Sequence, residues 1–226
     1  MKILKSVFIV ATLAVAAQAS AIPVRSGQPN VLLDLPLLES VGLVLSGVGG
    51  PVIAPGNLGA ASVAFPINAR DAMAPALATT FEYTEGTLAP FSGTIEHSGT
   101  VLFNANALEV GNFTIGYDAS RATATASGFF VADNVTFPGV ALFDVGIPSA
   151  LSALRAMLSI TADLLVSPEL AGVLGNAALA GVDVGDALVE AVAAPEPGTL
   201  ALLLGGLGFF GLALTRRRTA GAHVRR

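Results

Sequence analysis

The 226-residue chain has no cysteine, no tryptophan, only two tyrosines and two histidines, and 12% charged residues where a soluble domain averages about 25%. Without cysteine there is no disulfide scaffold, no thiolate metal site and no thiol nucleophile. The low charge excludes a charged disordered tail. Lysine is missing from the whole of residues 22–194, where Arg25, Arg70, Arg121 and Arg155 face fifteen acids, a net charge of −11 against −5 for the chain. A surface of that sign repels phosphate backbones, so no nucleic-acid partner is expected. Divalent cations and neutral polymers are easier partners.

What is present is a hydrophobic content of 53% and 25 glycines, with apolar segments near both ends. Lys2 and Lys5 precede an apolar run over residues 7–17, and Ala17-Gln18-Ala19 and Ala19-Ser20-Ala21 both offer small-x-small cleavage sites. This pattern predicts a signal peptide over residues 1–21, cut by signal peptidase at Ala19 or Ala21. The apolar run is shorter than the roughly 20 residues that cross a bilayer.

At the other end, Pro195-Glu196-Pro197 leads into uncharged residues 198–214 and then Arg216-Arg217-Arg218. As a helix the uncharged stretch spans roughly 25 Å, enough for a single transmembrane helix over residues 198–215. The arginines hold the tail, residues 216–226, on the cytoplasmic side and leave everything upstream outside. Gly206-Leu207-Gly208-Phe209-Phe210-Gly211 matches a dinucleotide fingerprint in spacing only, because no strand precedes it.

The order of a Pro-Glu-Pro tripeptide, a short Gly/Leu-rich helix and an arginine cluster resembles the PEP-CTERM sorting signal. The resemblance implies export by a Gram-negative, exopolysaccharide-making bacterium. It also implies processing of the tail by an exosortase-type membrane protease. One departure is the length of residues 219–226 beyond the arginines; Arg225 and Arg226 keep the sign of the anchor.

Between the terminal signals, residues 22–190 read as one exported β-rich domain, followed by a tether over residues 191–197. Apolar and polar residues alternate with the period of half-buried strands around Phe81 and Tyr83, around Phe113, Ile115 and Tyr117, from Arg121 to Val131, and from Leu158 to Val166. Turn formers such as Gly86, Gly111, Asp133-Asn134 and Pro138-Gly139 separate these runs. The expected fold class is all-β: an antiparallel β-sandwich or jelly roll with one or two short helices. Ser167-Pro168-Glu169 signals a helix closed by Gly175, and residues 150–157 are the second candidate. Residues 23–55 fit either an early hairpin or an extended arm. Ser92-Gly93-Thr94 and Ser98-Gly99-Thr100 mark either two successive strand starts or one bulged strand.

Catalytic constellations are scarce. His97 is the only histidine of the body and falls on the face of Ile95, Val101 and Phe103 if that strand is continuous, the position of a packed histidine. No H-E-x-x-H or G-x-S-x-G occurs. Glu82 and Glu96, on adjacent strands, are the first pair to consider for a glycoside hydrolase, although no aromatic platform supports sugar binding. Asp183 and Asp186 around Gly185, and Asp133-Asn134, are the candidates for a cation-binding module. Neither alternative displaces the leading expectation. That expectation is a non-enzymatic surface or matrix protein with no catalytic residue, cofactor or metal, contacting exopolysaccharide or a biofilm.

Overall fold

The computed structural model describes residues 21–154 and 156–193. Residues 1–20 of the predicted signal peptide, with Ala19, and the predicted transmembrane helix and basic tail lie outside these residues, while Ala21 stands exposed just before the first strand. Among the described residues no helix is long and apolar enough to cross a membrane.

The chain runs β1 (Ile22–Leu33), α1 (Leu35–Ser40), β2 (Leu45–Gly49), β3 (Val63–Ala64), β4 (Glu82–Thr84), β5 (Leu88–Ser92) and β6 (Ile95–Glu96). It continues through β7 (Thr100–Phe103), β8 (Leu108–Gly111), β9 (Thr114–Tyr117), β10 (Ala126–Ala132), β11 (Ala141–Gly146) and β12 (Ala150–Ala153). The last elements are β13 (Met157–Val166), α2 (Pro168–Val173) and β14 (Asp183–Ala193). The body is mostly β and antiparallel, with two short α-helices, as the alternation predicts.

Nine strands follow the order β5-β4-β1-β14-β13-β11-β10-β9-β6, with β12 beside β13 and β3 beside β1, to make one sheet of eleven. A small sheet, β2-β7-β8, holds the other three. The large sheet curls until its ends are laced together. The Thr80 and Phe81 amides both donate to the Thr94 carbonyl, at 2.9 and 3.0 Å, while the Phe81 carbonyl accepts from Val24 at 3.0 Å. Just beyond, Ile67 bridges His97, its amide donates to Gly27 at 2.9 Å, and the Asn68 amide donates to Glu96 at 2.7 Å. Hydrogen bonds thus return from β6 to β1, which leaves fewer open edges for another chain to pair with. The curl of one sheet, rather than the stacking of two equal ones, encloses the core.

Local chemistry explains the main elements. β13 alternates from Leu158 to Leu164, with Leu158, Ala162 and Leu164 buried, Ser159 and Thr161 only partly so and Asp163 exposed, and ends in the buried run Leu164–Val166. Ser167 caps α2 by accepting the Leu170 amide at 2.9 Å, with Pro168 in the first turn. The same device starts α1, where the Asp34 carboxylate accepts the Leu37 amide at 3.1 Å. Residues 23–55 are therefore neither a simple hairpin nor a loose arm: β1 is a long strand between β14 and β4, followed by a capped helix and by β2.

Two expectations are corrected. Residues 150–157 are not helical: Ala150–Ala153 form β12, in register with residues 158–161 of β13, because pairing outweighs the helix propensity of alanine and leucine. The strand from Arg121 starts late, since Ala119–Arg121 form a 3₁₀ turn capped by Asp118 and β10 opens at Ala126. β14 extends to Ala193, three residues past the boundary that composition suggests between body and tether.

The two Ser-Gly-Thr tripeptides are successive strand starts, β6 and β7. Gly93 and Gly99 take φ of +80° and +116°, regions that L side chains avoid. At Gly99 the chain passes from the large sheet to the small one.

Candidate functional site

The interior of the curl holds an apolar cavity of about 110 Å³. Its wall joins two hydrophobic clusters, one including Phe65, Phe103 and Phe113 and the other Phe81, Ile95 and Leu158. Ile95, His97, Val101 and Phe103 all line it, so the face expected to carry His97 exists although the strand breaks at Gly99. Among the described residues His97 is the one cavity-lining residue with a polar side chain.

The geometry fixes its chemistry. His97 is 2% exposed, and its Nδ1 lies 2.9 Å from the Phe113 carbonyl oxygen, which also accepts the His97 backbone amide at 2.9 Å. A carbonyl has no hydrogen to give, so Nδ1 carries the proton and Nε2 presents a lone pair. Nε2 is buried without a hydrogen-bond partner. Burial lowers the imidazole pKa to about 4, with the Phe113 contact pulling weakly the other way. A buried acceptor left unpaired costs about 1–3 kcal/mol. The partner that orients His97 is a carbonyl, not a carboxylate, so the geometry of a Ser-His-Asp relay is not assembled on it.

The carboxylates singled out in the sequence are separately engaged. Glu82 is ion-paired with Arg70 at 2.7 Å, and Arg70 also donates to the Phe81 carbonyl at 3.2 Å. Glu96 is buried and accepts the Thr114 hydroxyl at 2.6 Å. The segments carrying them are laced side by side, yet each carboxylate has its own partner. Asp133 is fully buried and anchors a turn by accepting three backbone amides, from Gly111 at 2.7 Å, Val135 at 3.1 Å and Phe137 at 2.6 Å. Asp183 and Asp186 line a cleft with Asp34 at the end of the β1–β14 pair, where Asp183 accepts the Gly185 amide at 3.0 Å. Among the described residues no three His, Asp or Glu side chains are grouped to hold a metal ion.

Two constellations escape the sequence reading. Arg121 donates to Asp144 at 2.6 Å and to both oxygens of Glu169 at 2.7 and 2.8 Å, and its guanidinium lies 5.4 Å from the Phe130 ring centre. Phe81, Phe91, Tyr117 and Phe129 form an aromatic cluster. Phe91 and Tyr117 meet edge to face at 4.9 Å, so the rings pack on one another, with Tyr117 44% exposed. The signal for it, Phe91 ahead of a strand ending in Tyr117, is visible only once β9 and β10 are paired.

Pro195, Glu196, Pro197, Arg216, Arg217 and Arg218 lie outside the described residues, past the end of β14 at Ala193. The family model of the PEP-CTERM protein-sorting motif matches residues 193–218. The chain carries a PEP-CTERM sorting motif. This motif takes in the tripeptide and the arginine cluster and stops short of residues 219–226, the part that departs from the usual pattern. A PEP-CTERM motif implies an exported protein, anchored in the membrane before processing by exosortase, a membrane protease. No curated protein matches the chain by sequence. Among solved structures, the crystal structure of the C-terminal domain of HtaA from Corynebacterium glutamicum overlaps loosely with it. The TM-score is 0.44 at 16% identity, over 76% of this chain and 99% of that one.

Proposed function

We propose that the body acts outside the cell as a non-enzymatic structural or adhesive component of an exopolysaccharide matrix or biofilm. Signal peptidase removes the leader at Ala19 or Ala21, exosortase processes the chain at Pro195-Glu196-Pro197, and the acidic β body stays at the cell surface or in the matrix. The observation that carries this reading is the union of a sorting motif with a body whose candidate catalytic carboxylates are committed internally, Glu82 to Arg70 and Glu96 to Thr114. A general acid and base need partners on the substrate instead.

The test is genetic and biochemical. Deleting the gene in the bacterium that carries it is expected to reduce aggregation and the protein content of the isolated matrix. Restoring the full chain reverses the loss, and restoring a chain without residues 193–218 does not. Unchanged aggregation and matrix composition overturn the reading. Glycan turnover by the purified chain that disappears in Glu82→Gln or Glu96→Gln overturns its non-enzymatic part.

A further inference from the structure

We propose that the outer face of the β12–β13 hairpin rests on the phospholipid surface of the membrane that anchors the chain before processing. This contact depends on the anchoring that the sorting motif implies and stands independently of the matrix role.

Three side chains form the face. Leu154, Met157 and Val192 are 59%, 52% and 48% exposed, and they stand in one row. Met157 and Val192 are direct partners on β13 and β14, so they share a face, and the Leu154 amide donates to the Met157 carbonyl at 2.9 Å where the hairpin closes. Their chain neighbours Ala153, Leu158 and Ala191 are buried, so alternation turns the row away from the core. On the next strand, β1, Ser26 stands opposite Val192 and the exposed Arg25 sits at the bulge beside it. Among the described residues Arg70 and Arg121 are ion-paired and Arg25 is not. An apolar row ending in a free cation suits acyl chains beneath lipid phosphates. A second copy fits less well, because two bodies that each carry −11 over residues 22–194 repel one another.

The exit of the chain decides the occupant. The Ala193 amide donates to the Ala156 carbonyl at 3.0 Å, so β14 ends bound to the link between β12 and β13. Only Ala194 to Pro197 separate that point from the predicted span at Gly198, a reach of at most about 14 Å. So short a tether holds the row beside the bilayer at a high effective concentration, and a face too small to bind lipid unaided suffices. Once the tether is cut, the body is free to leave.

Because the chain has no cysteine, single-site labels report on one position each. The full chain is anchored in phosphatidylcholine vesicles that contain a phosphatidylcholine spin-labelled just below the headgroup. A fluorophore is attached at Met157→Cys or at Ala178→Cys, an exposed site ahead of the opposite end of β14. Quenching is expected to be several-fold stronger at residue 157 than at residue 178. Adding Leu154→Ser and Val192→Ser, which keeps the tether, is expected to lower quenching at residue 157 to the level at residue 178 while the β circular dichroism signal is kept. Adding Leu154→Met and Val192→Ile instead is expected to leave it high. Equal quenching at the two sites overturns the proposal, as does quenching that survives the serine pair and so reports the tether alone. Shielding of the residue 157 label that grows with the number of chains per vesicle marks a second copy on the face and also overturns it.

Discussion

The backbone amide and the Nδ1 of His97 donate to one and the same acceptor, the carbonyl oxygen of Phe113, each at 2.9 Å. This double contact ties β9 to the end of β6 and sets the tautomer of the one histidine inside the body. Burial of the ring, which outweighs the opposing pull of this contact, makes His97 a proton-linked element of stability. Its pKa is about 4 in the folded chain against 6.5 ordinarily, so between these values the unfolded chain binds the extra proton. The contribution is fully present above pH 6.5, falls as pH drops toward 4, and stays lost below. Its size is of the order of 3 kcal/mol. Urea denaturation from pH 7.5 to 4 measures it, and His97→Phe is expected to flatten this part of the profile.

Glu169 behaves in the opposite chemical sense but loses stability in the same direction. The Arg121 hydrogen bonds hold its pKa down to about 2 from 4.5. The stabilisation is complete above pH 4.5 and disappears as pH falls through the folded value near 2. With 44% of the Glu169 side chain exposed, solvent screening limits the pair to about 1 kcal/mol or less. Glu169→Gln is expected to remove the slope below pH 4.5 and leave the slope between 4 and 6.5 intact, so unfolding profiles separate the two groups.

Asp133 carries a larger share. Its carboxylate accepts three backbone amides inside the protein, and Asp133→Ala leaves all three unpaired. A loss of about 3 kcal/mol or more is expected. Asp133→Asn keeps one oxygen but turns an NH₂ group toward amide donors, for an expected loss of about 2 kcal/mol. Urea midpoints read both, with an unchanged m-value as the sign that the fold itself persists.

At Gly99 a methyl group would stand 2.7 Å from Val52 Cγ2 and 3.1 Å from Phe65 Cδ1, at a φ of +116°. Gly99→Ala is expected to cost about 1–3 kcal/mol. Urea midpoints of the variant and the unmodified chain measure the loss.

Much of this molecule can be read along the chain where one local rule governs. β13 follows from the alternation of Leu158 to Leu164, α2 from Ser167-Pro168-Glu169, and the face of His97 from its spacing to Ile95. α1 obeys the same capping chemistry through Asp34 and Pro36, but its signal sits among leucines and prolines that fit other conformations equally well. β12 reads as helix because Ala150–Ala153 is rich in good helix formers, and only its pairing with β13 makes it a strand. The cavity is invisible in sequence for a deeper reason. Its volume is what remains after side chains from many strands meet across the curl, and no window of the chain contains that information. The unpartnered Nε2 is equally nonlocal, since it depends on where Phe113 places its carbonyl.

The sorting account rests on what happens to the end of the chain, and mass spectrometry of the exported protein tests it most directly. The mature species is expected to start at or just after Ala19 or Ala21 and to lack Arg216, Arg217 and Arg218, ending near Pro195-Glu196-Pro197. An exported chain that retains its C-terminus through Arg226 contradicts the account.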